Sequence, residues 1–301
     1  MKDISARVEL DRLEQDSVEW LDRLLRKAVI ENVRAENREK REGTLSELAN
    51  ALVRQQSTAD LLGRRRLYLE TNDQDKKRTY AQYEIPEEET ADEFLKKLEA
   101  LLEDPAAKEI VEEHKKSRAG FIAGAVVLAS SVIKKATKAV FRLIRRVVKG
   151  GKSRDDAEAM VVKALEGRDP TVTVTKSYAE TVFKTNLNTA YTKARTQQAA
   201  TAAFRNKVLA WRYATMEDDR VRDNHAAAHG FIAHVTDPIW NKLSPPMGFN
   251  CRCVLEPVSG DVARRARAVS DSGLALYKLA PLGAHPDIGF QARGSGIGSN
   301  S

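Results

Sequence analysis

Residues 208–258 read VLAWRYATMEDDRVRDNHAAAHGFIAHVTDPIWNKLSPPMGFNCRCVLEPV, and their texture decides the fold class. Three short β-prone runs, Val208 to Tyr213, Phe231 to Val235 and Cys253 to Val258, are separated by polar, turn-rich segments. Pro238, Pro245, Pro246 and Gly248 punctuate a structured loop before the last run. Immediately upstream, Tyr178 to Asn206 has the Ala- and Thr-rich pattern of a helix. A long helix feeding three short strands predicts a small α+β unit.

Further toward the N-terminus the chain reads as mainly helical. Leu10, Leu13, Leu21, Leu24, Ala28 and Val29 recur near a 3.6 period and predict one helix from about Asp3 to Arg41. Gly43-Thr44 should break it, and Thr44-x-x-Glu47 has the capping-box form for a second helix ending near Leu62 and Gly63. The Arg64-Arg65-Arg66 run that comes next reads as a solvated face. Glu84 to Glu113 carries twelve acids against Lys96, Lys97 and Lys108, with Phe94, Leu95, Leu98, Leu101 and Leu102 as the inner face of a helix. Asp156 to Leu165 is a short helix, and Thr171 to Thr175 is β-prone. Asp261 to Tyr277 is again helical, and the Gly- and Ser-rich tail from Arg293 to Ser301 reads as disordered. The expected architecture is α+β: a helical region over 1–118, an apolar then basic helix over 119–151, and a small α+β domain over 178–277.

The 119–151 segment has its own character. Ala119 to Ile133 holds no charge, and Lys134 to Arg154 then holds nine Lys or Arg and no acid. At 100° per residue, Ile133, Ala136, Val140, Phe141, Ile144 and Val147 share one arc. Lys134, Lys135, Lys138, Arg142, Arg145, Arg146 and Lys149 take the opposite one. This is a basic amphipathic helix. Its cations are candidates for contact with nucleic acid, with a membrane surface, or with the acidic segment of the same chain. The uncharged run is about 22 Å long as helix, short of the roughly 30 Å hydrocarbon core.

The net charge of +7 permits an anionic partner without selecting one. Met1 to Arg12 is charged and opens no secretory signal, so synthesis in a reducing cytoplasm is expected. Cys251 and Cys253 are separated by one residue, too close for an unstrained disulfide. Two residues apart on a strand, they face one side. His225 and His229, four apart, would share a helix face. Two nitrogens and two sulfurs suit a tetrahedral zinc site. The competing reading makes the thiols small buried hydrophobes and the imidazoles local caps.

Three blocks in order carry a resemblance. The first is Lys184-Thr185-Asn186-Leu187-Asn188-Thr189-Ala190-Tyr191. The second is Trp211, then Asp219-Arg220-Val221-Arg222, His225 and Gly230. The third is Trp240, Pro245-Pro246 and Phe249-Asn250-Cys251-Arg252-Cys253. Together they resemble the phage Mu F-like head-morphogenesis family of tailed phages, over a quarter to a third of the chain. Pro286-Asp287-Ile288-Gly289-Phe290 also resembles the segment just C-terminal to that domain, although Arg293-Gly294-Ser295 stands where the family continues into an Asn-Pro-Gly-like turn.

The resemblance implies a minor head protein at low copy in the procapsid near the portal. Its expected partners are the portal and the major capsid or scaffold protein, with packaged DNA or a membrane surface as further contacts during delivery. It implies no catalytic activity. Within the motif, Trp211, Asp219, Arg220, Arg222, His225, Gly230, Pro246, Asn250, Cys251, Arg252 and Cys253 are expected to be structural. Asp219, Arg220 and Arg222 would tie the strand end to the Cys-x-Cys loop, Trp211, Trp240 and Phe249 would lie in the core, and Asn250 would turn the chain. The alternative is a zinc-dependent hydrolase or nuclease, or a toxin-like enzyme, on the same domain. Against it, no Ser-His-Asp order, Gly-rich phosphate loop or His-Glu-x-x-His is present.

Overall fold

A computed structural model describes residues 5–34, 38–72, 96, 99–100, 103–167, 174–258, 263–264 and 283–287. In chain order the elements are α1 (Ser5–Val33), α2 (Arg38–Asn72), α3 (Pro105–Lys149), α4 (Arg154–Glu166), α5 (Val174–Ala200), β1 (Ala210–Ala214), α6 (Asp223–Ala226), β2 (Ile232–His234), α7 (Trp240–Leu243) and β3 (Val254–Val258). The fold is α+β, as the residue pattern predicts. Helices fill the N-terminal part, and β1 is the centre of a three-stranded antiparallel sheet of order β2-β1-β3. Trp211 pairs with Ala233 on one side and Pro257 on the other.

The chain forms two compact units. One gathers 1–11, 56–117 and 184–301; the other gathers 12–55 and 118–183. In the first, Phe204, Trp211, Tyr213, Trp240, Met247 and Leu255 pack with Leu61 and Leu67 of α2 and with Ala107, Ile110 and Val111 of α3. The core under the sheet is thus completed by residues from outside 178–277. In the second unit, Leu21, Leu25 and Val29 of α1 pack with Leu48 and Leu52 of α2, with Val132, Ala136, Val140 and Ile144 of α3, and with Val161 and Leu165 of α4. Ser153 caps α4 by accepting from the Asp156 backbone N–H at 3.1 Å.

Several local expectations are corrected. The first helix ends at Val33 and a second begins at Arg38, running unbroken through Gly43 and Gly63 to Asn72. Thr44 does not cap a helix: its hydroxyl donates to the Lys40 carbonyl one turn back and to the Glu31 carboxylate. Gly63 is not a helix end. A Cβ there would lie 2.5 Å from the Tyr191 carbonyl, so the glycine lets α5 approach α2 closely. Val174 and Thr175 belong to α5 and not to a strand.

The arginine run is buried, not solvated. Arg64 is wholly inaccessible. Its Nε and Nη2 donate to Asp60 at 2.9 and 3.1 Å, Nη1 to Gln198 at 3.0 Å, and Nη2 also to Ser117 at 3.0 Å. His114 Nδ1 lies 2.8 Å from the same Asp60. Glu70 accepts from Arg66 at 2.7 Å and from Arg195 at 2.6 Å. These bonds join α2, α3 and α5 inside the first unit. The helix expected over Asp261 to Tyr277, the inner face of the acidic segment and the tail lie outside the described residues, apart from residues 263 and 264.

Candidate metal centre

Beyond β1 the chain loops out and turns at the short helix α6, where His225 is driven to 2 % exposure. After β2 and α7, a cis Pro245-Pro246 bond and Asn250 at φ 57° redirect the chain into Cys251-Arg252-Cys253. The left-handed conformation at Asn250 is one that asparagine tolerates better than most residues. Cys251 and Cys253 are buried at 2 and 3 %.

The three side chains converge. Cys251 Sγ lies 3.6 Å and Cys253 Sγ 3.7 Å from His225 Nδ1, and the three donor atoms sit within 4.8 Å of one another. With Zn–S near 2.3 Å and Zn–N near 2.0–2.1 Å, a tetrahedral ion sets its N···S edges at about 3.6 Å. The donor set therefore has the spacing that a metal needs, and the cluster can hold one.

Electrostatics favour the metal-ready state of the sulfur. The Cys253 thiol beside it holds the Cys251 thiol well below its ordinary pKa, helped by His225 and opposed by burial. The Tyr213 phenol is pushed well above its usual value, first by burial and then by the neighbouring cysteines, so it keeps its proton.

The loop is clamped from several directions. Asn188 of α5 donates its amide to the Cys251 carbonyl at 2.6 Å and to the Cys253 carbonyl at 3.2 Å. Arg252 forks onto both oxygens of Asp218 at 2.8 and 2.7 Å, which lowers the Asp218 carboxyl to about 2. Arg222 donates to the Phe249 carbonyl at 2.7 Å.

Asp287 stands behind His225. Its Oδ1 is 3.3 Å from His225 Nε2, without an aligned hydrogen bond. Its own backbone N–H is fixed by the Met247 carbonyl at 2.8 Å, and Asn224 donates to its Oδ1 at 3.1 Å. Gly248 makes this approach available, since a Cβ there would fall 1.8 Å from Asp287 Oδ2. In metal sites the nitrogen of a ligating imidazole that faces away from the metal commonly meets a carboxylate, and Asp287 occupies that position relative to His225.

His225, Cys251 and Cys253 are thus brought together, and His229 is not among them. The helical face that would align His225 with His229 ends at Ala226. His229 Nδ1 instead accepts from the Thr215 backbone N–H at 3.2 Å and lies 2.9 Å from the Thr215 hydroxyl. Trp211 and Trp240 are core, whereas Phe249 is 56 % exposed. Arg222 reaches the Phe249 carbonyl, the partner of Arg252 is Asp218, and Asp219 and Arg220 are exposed. Gly230 takes φ 78° and donates its N–H to Tyr213. Sequence reasoning gave no role to Asp218, Asn188 or Asp287, although Asn188 and Asp287 fall within stretches that carry the resemblance. All seven cations from Lys134 to Lys149 are exposed.

Residues 138–256, which include β1 to α7 and the His and Cys-x-Cys cluster, match the family model described as Phage Mu protein F like protein. The matched segment is similar to that family over somewhat more than a third of the chain. Over 116 residues the chain is 34 % identical to the Mu-like prophage FluMu F protein of Haemophilus influenzae, covering 38 % of this chain and 27 % of that protein. Over 79 residues it is 33 % identical to the putative capsid assembly protein F of Escherichia phage Mu, covering 26 % of this chain and 18 % of that one. An uncharacterized protein of Methanocaldococcus jannaschii is 44 % identical over 46 residues, 15 % of this chain and 7 % of that one. The chain therefore matches about a quarter, or less, of the length of these relatives. No solved structure matches.

Proposed function

We propose that this chain is a minor head protein of a tailed phage. It is made in the host cytoplasm and carried in the virion near the portal. There it acts in procapsid assembly and in DNA packaging and delivery, with the portal and the capsid or scaffold protein as partners. The observation that carries the reading is the Mu F-like segment over 138–256, with relatives that include a putative capsid assembly protein.

The His225, Cys251 and Cys253 cluster is read as a structural zinc knuckle. Zinc supplies folding energy there, because ligands that are scattered in the unfolded chain converge only in the fold. His225 offers Nδ1, the cysteines offer thiolates, and the Asp287 carboxylate lies 3.3 Å from the far ring nitrogen.

Three donors also leave one position open, which favours a second, hydrolytic reading. Two observations weigh against it. Every ligand is at 3 % exposure or less, so substrate has little access. The nearby Asp218 is paired to Arg252 and too acidic to take a proton from water.

Two measurements test the proposal. The full chain, co-expressed with portal, capsid and scaffold proteins of its own genome, should co-purify with at least one and be found in virions by mass spectrometry. Binding to none and absence from virions overturns the head assignment. Untagged protein should carry close to one zinc per chain and lose thermal stability on chelation. Less than about a tenth of a zinc per chain would leave only the packing role for the cluster. Zinc-dependent cleavage of DNA or peptide would promote the hydrolytic reading.

A further inference from the structure

The exposed charge of α3 is gathered on one face. Lys134, Lys138, Arg142, Arg145, Arg146 and Lys149, with Lys135 beside them, fall in an arc of about 120° at 100° per residue. They run for about 22 Å along the helix axis. All are exposed, and none makes an ion pair with any described residue. Several cations elsewhere in this unit are paired instead: Lys27 with Glu47 at 2.9 Å, Arg34 with Glu166 at 2.7 Å, and Arg26 with Asp22. A cleft of about 450 Å³ beside the stripe adds to the field. Lys134 and Lys138 line it together with Arg38 and Arg41, and its one acid, Glu42, is taken by Arg38 at 2.6 Å.

A basic amphipathic helix has two uses for its cationic face, and the structure discriminates between them. To lie on a membrane, the helix must bury its apolar face among lipids. Here that face is already occupied: Ala136, Val140 and Ile144 are 0–3 % exposed in the core of the unit. Along the stripe the folded protein exposes a single large apolar side chain, Val148 at 37 %, beside seven cations. Exposed Ile122, Val126 and Val127 lie earlier on the helix. A row of helix-borne cations that form no ion pair among the described residues, without interleaved aromatics, suits the phosphates of a duplex, not base edges or stacked single strands.

We propose that the outward face of α3 from Lys134 to Lys149 binds duplex DNA through its phosphates, without sequence preference. The proposal rests on the head-protein reading only for which DNA is met, the packaged genome. Its test is independent of portal binding.

The full chain is titrated into a labelled 30-base-pair duplex of arbitrary sequence between 50 and 200 mM salt. With about 0.9 counterion released per phosphate, five to seven contacts predict a log–log salt slope of about −4 to −6. The triple variant Lys138→Gln, Arg142→Gln, Arg145→Gln should flatten the slope by about 3 and weaken binding at least tenfold at low salt. An unchanged affinity in a variant that melts like the parent overturns the proposal. So does binding to phosphatidylglycerol vesicles with none to DNA. If the variant does not fold, acetylation of the parent protein decides: DNA should protect Lys134, Lys135, Lys138 and Lys149 but not exposed Lys163 on α4. Equal labelling with and without DNA refutes the assignment. A chain that binds its portal but fails these tests loses the DNA contact and keeps its place in the head.

Discussion

Replacing Arg64 tests the buried network of the first unit. Arg64→Leu removes both bonds to Asp60 and those to Gln198 and Ser117, leaving the Asp60 carboxylate at 1 % side-chain exposure with His114 Nδ1 2.8 Å away. Removing one partner of a buried pair costs about 3–5 kcal/mol, because the other charge stays desolvated and uncompensated. That is a large part of the roughly 5–15 kcal/mol that holds a domain together. At roughly 2–4 °C per kcal/mol for a unit of this size, the melting temperature should fall by roughly 6–20 °C. Arg64→Lys keeps the charge, but it cannot bond Asp60 and Gln198 through one planar fork, so it should also destabilise. The double variant Asp60→Leu, Arg64→Leu should lose much less than the sum of the single changes. Urea titration followed by circular dichroism measures all of these. Single variants costing under about 1 kcal/mol, or additive in the double, would refute the view of Arg64 as a buried, charge-compensated tie.

The metal centre gives three further expected outcomes. Asn188→Ala frees the Cys251 and Cys253 carbonyls; it should cost about 1–3 kcal/mol and weaken zinc about 10- to 100-fold, read by chelator competition. Asp218 has its carboxyl lowered from 3.8 to about 2 by Arg252, so its stabilisation is complete above the unfolded value and disappears as pH falls through that window. Acid titration of the parent against Asp218→Asn should show the variant lacking that part of the pH dependence, and superimposable curves would refute the pairing. Gly248→Ala puts a Cβ onto the Asp287 carboxylate, and should displace Asp287 and lower zinc affinity while leaving the Arg64 network, none of whose residues it touches, unchanged, as measured by competition and urea melting together.

The features legible from residues alone are those that local periodicity encodes. The three strands, the helix ahead of them and the two-sided pattern of α3 arise from side-chain alternation and from Pro and Gly punctuation, which act over a few residues. The Cys-x-Cys pair and His225 were legible for a related reason: their chemistry is rare, and their order along the chain matches a known family. Which partners meet was settled only by the packing of the elements. Arg64 reads as solvated beside its neighbours in sequence, yet its Gln198 partner is 134 residues away. Asp218 and Asp219 are indistinguishable locally, and the course of the loop chooses Asp218 for Arg252. His229 has the right spacing for a shared helix face, but the helix ends before reaching it. Asn188 sits 63 residues from the Cys251 carbonyl that it bonds, and Asp287 sits 63 residues from the Asn224 amide that holds it. Phe249 is apolar but stands on the outer side of a turn, where no neighbour covers it fully. Spacing along a chain governs what an element is, whereas burial and pairing depend on distances between elements, and those are set only when the core closes.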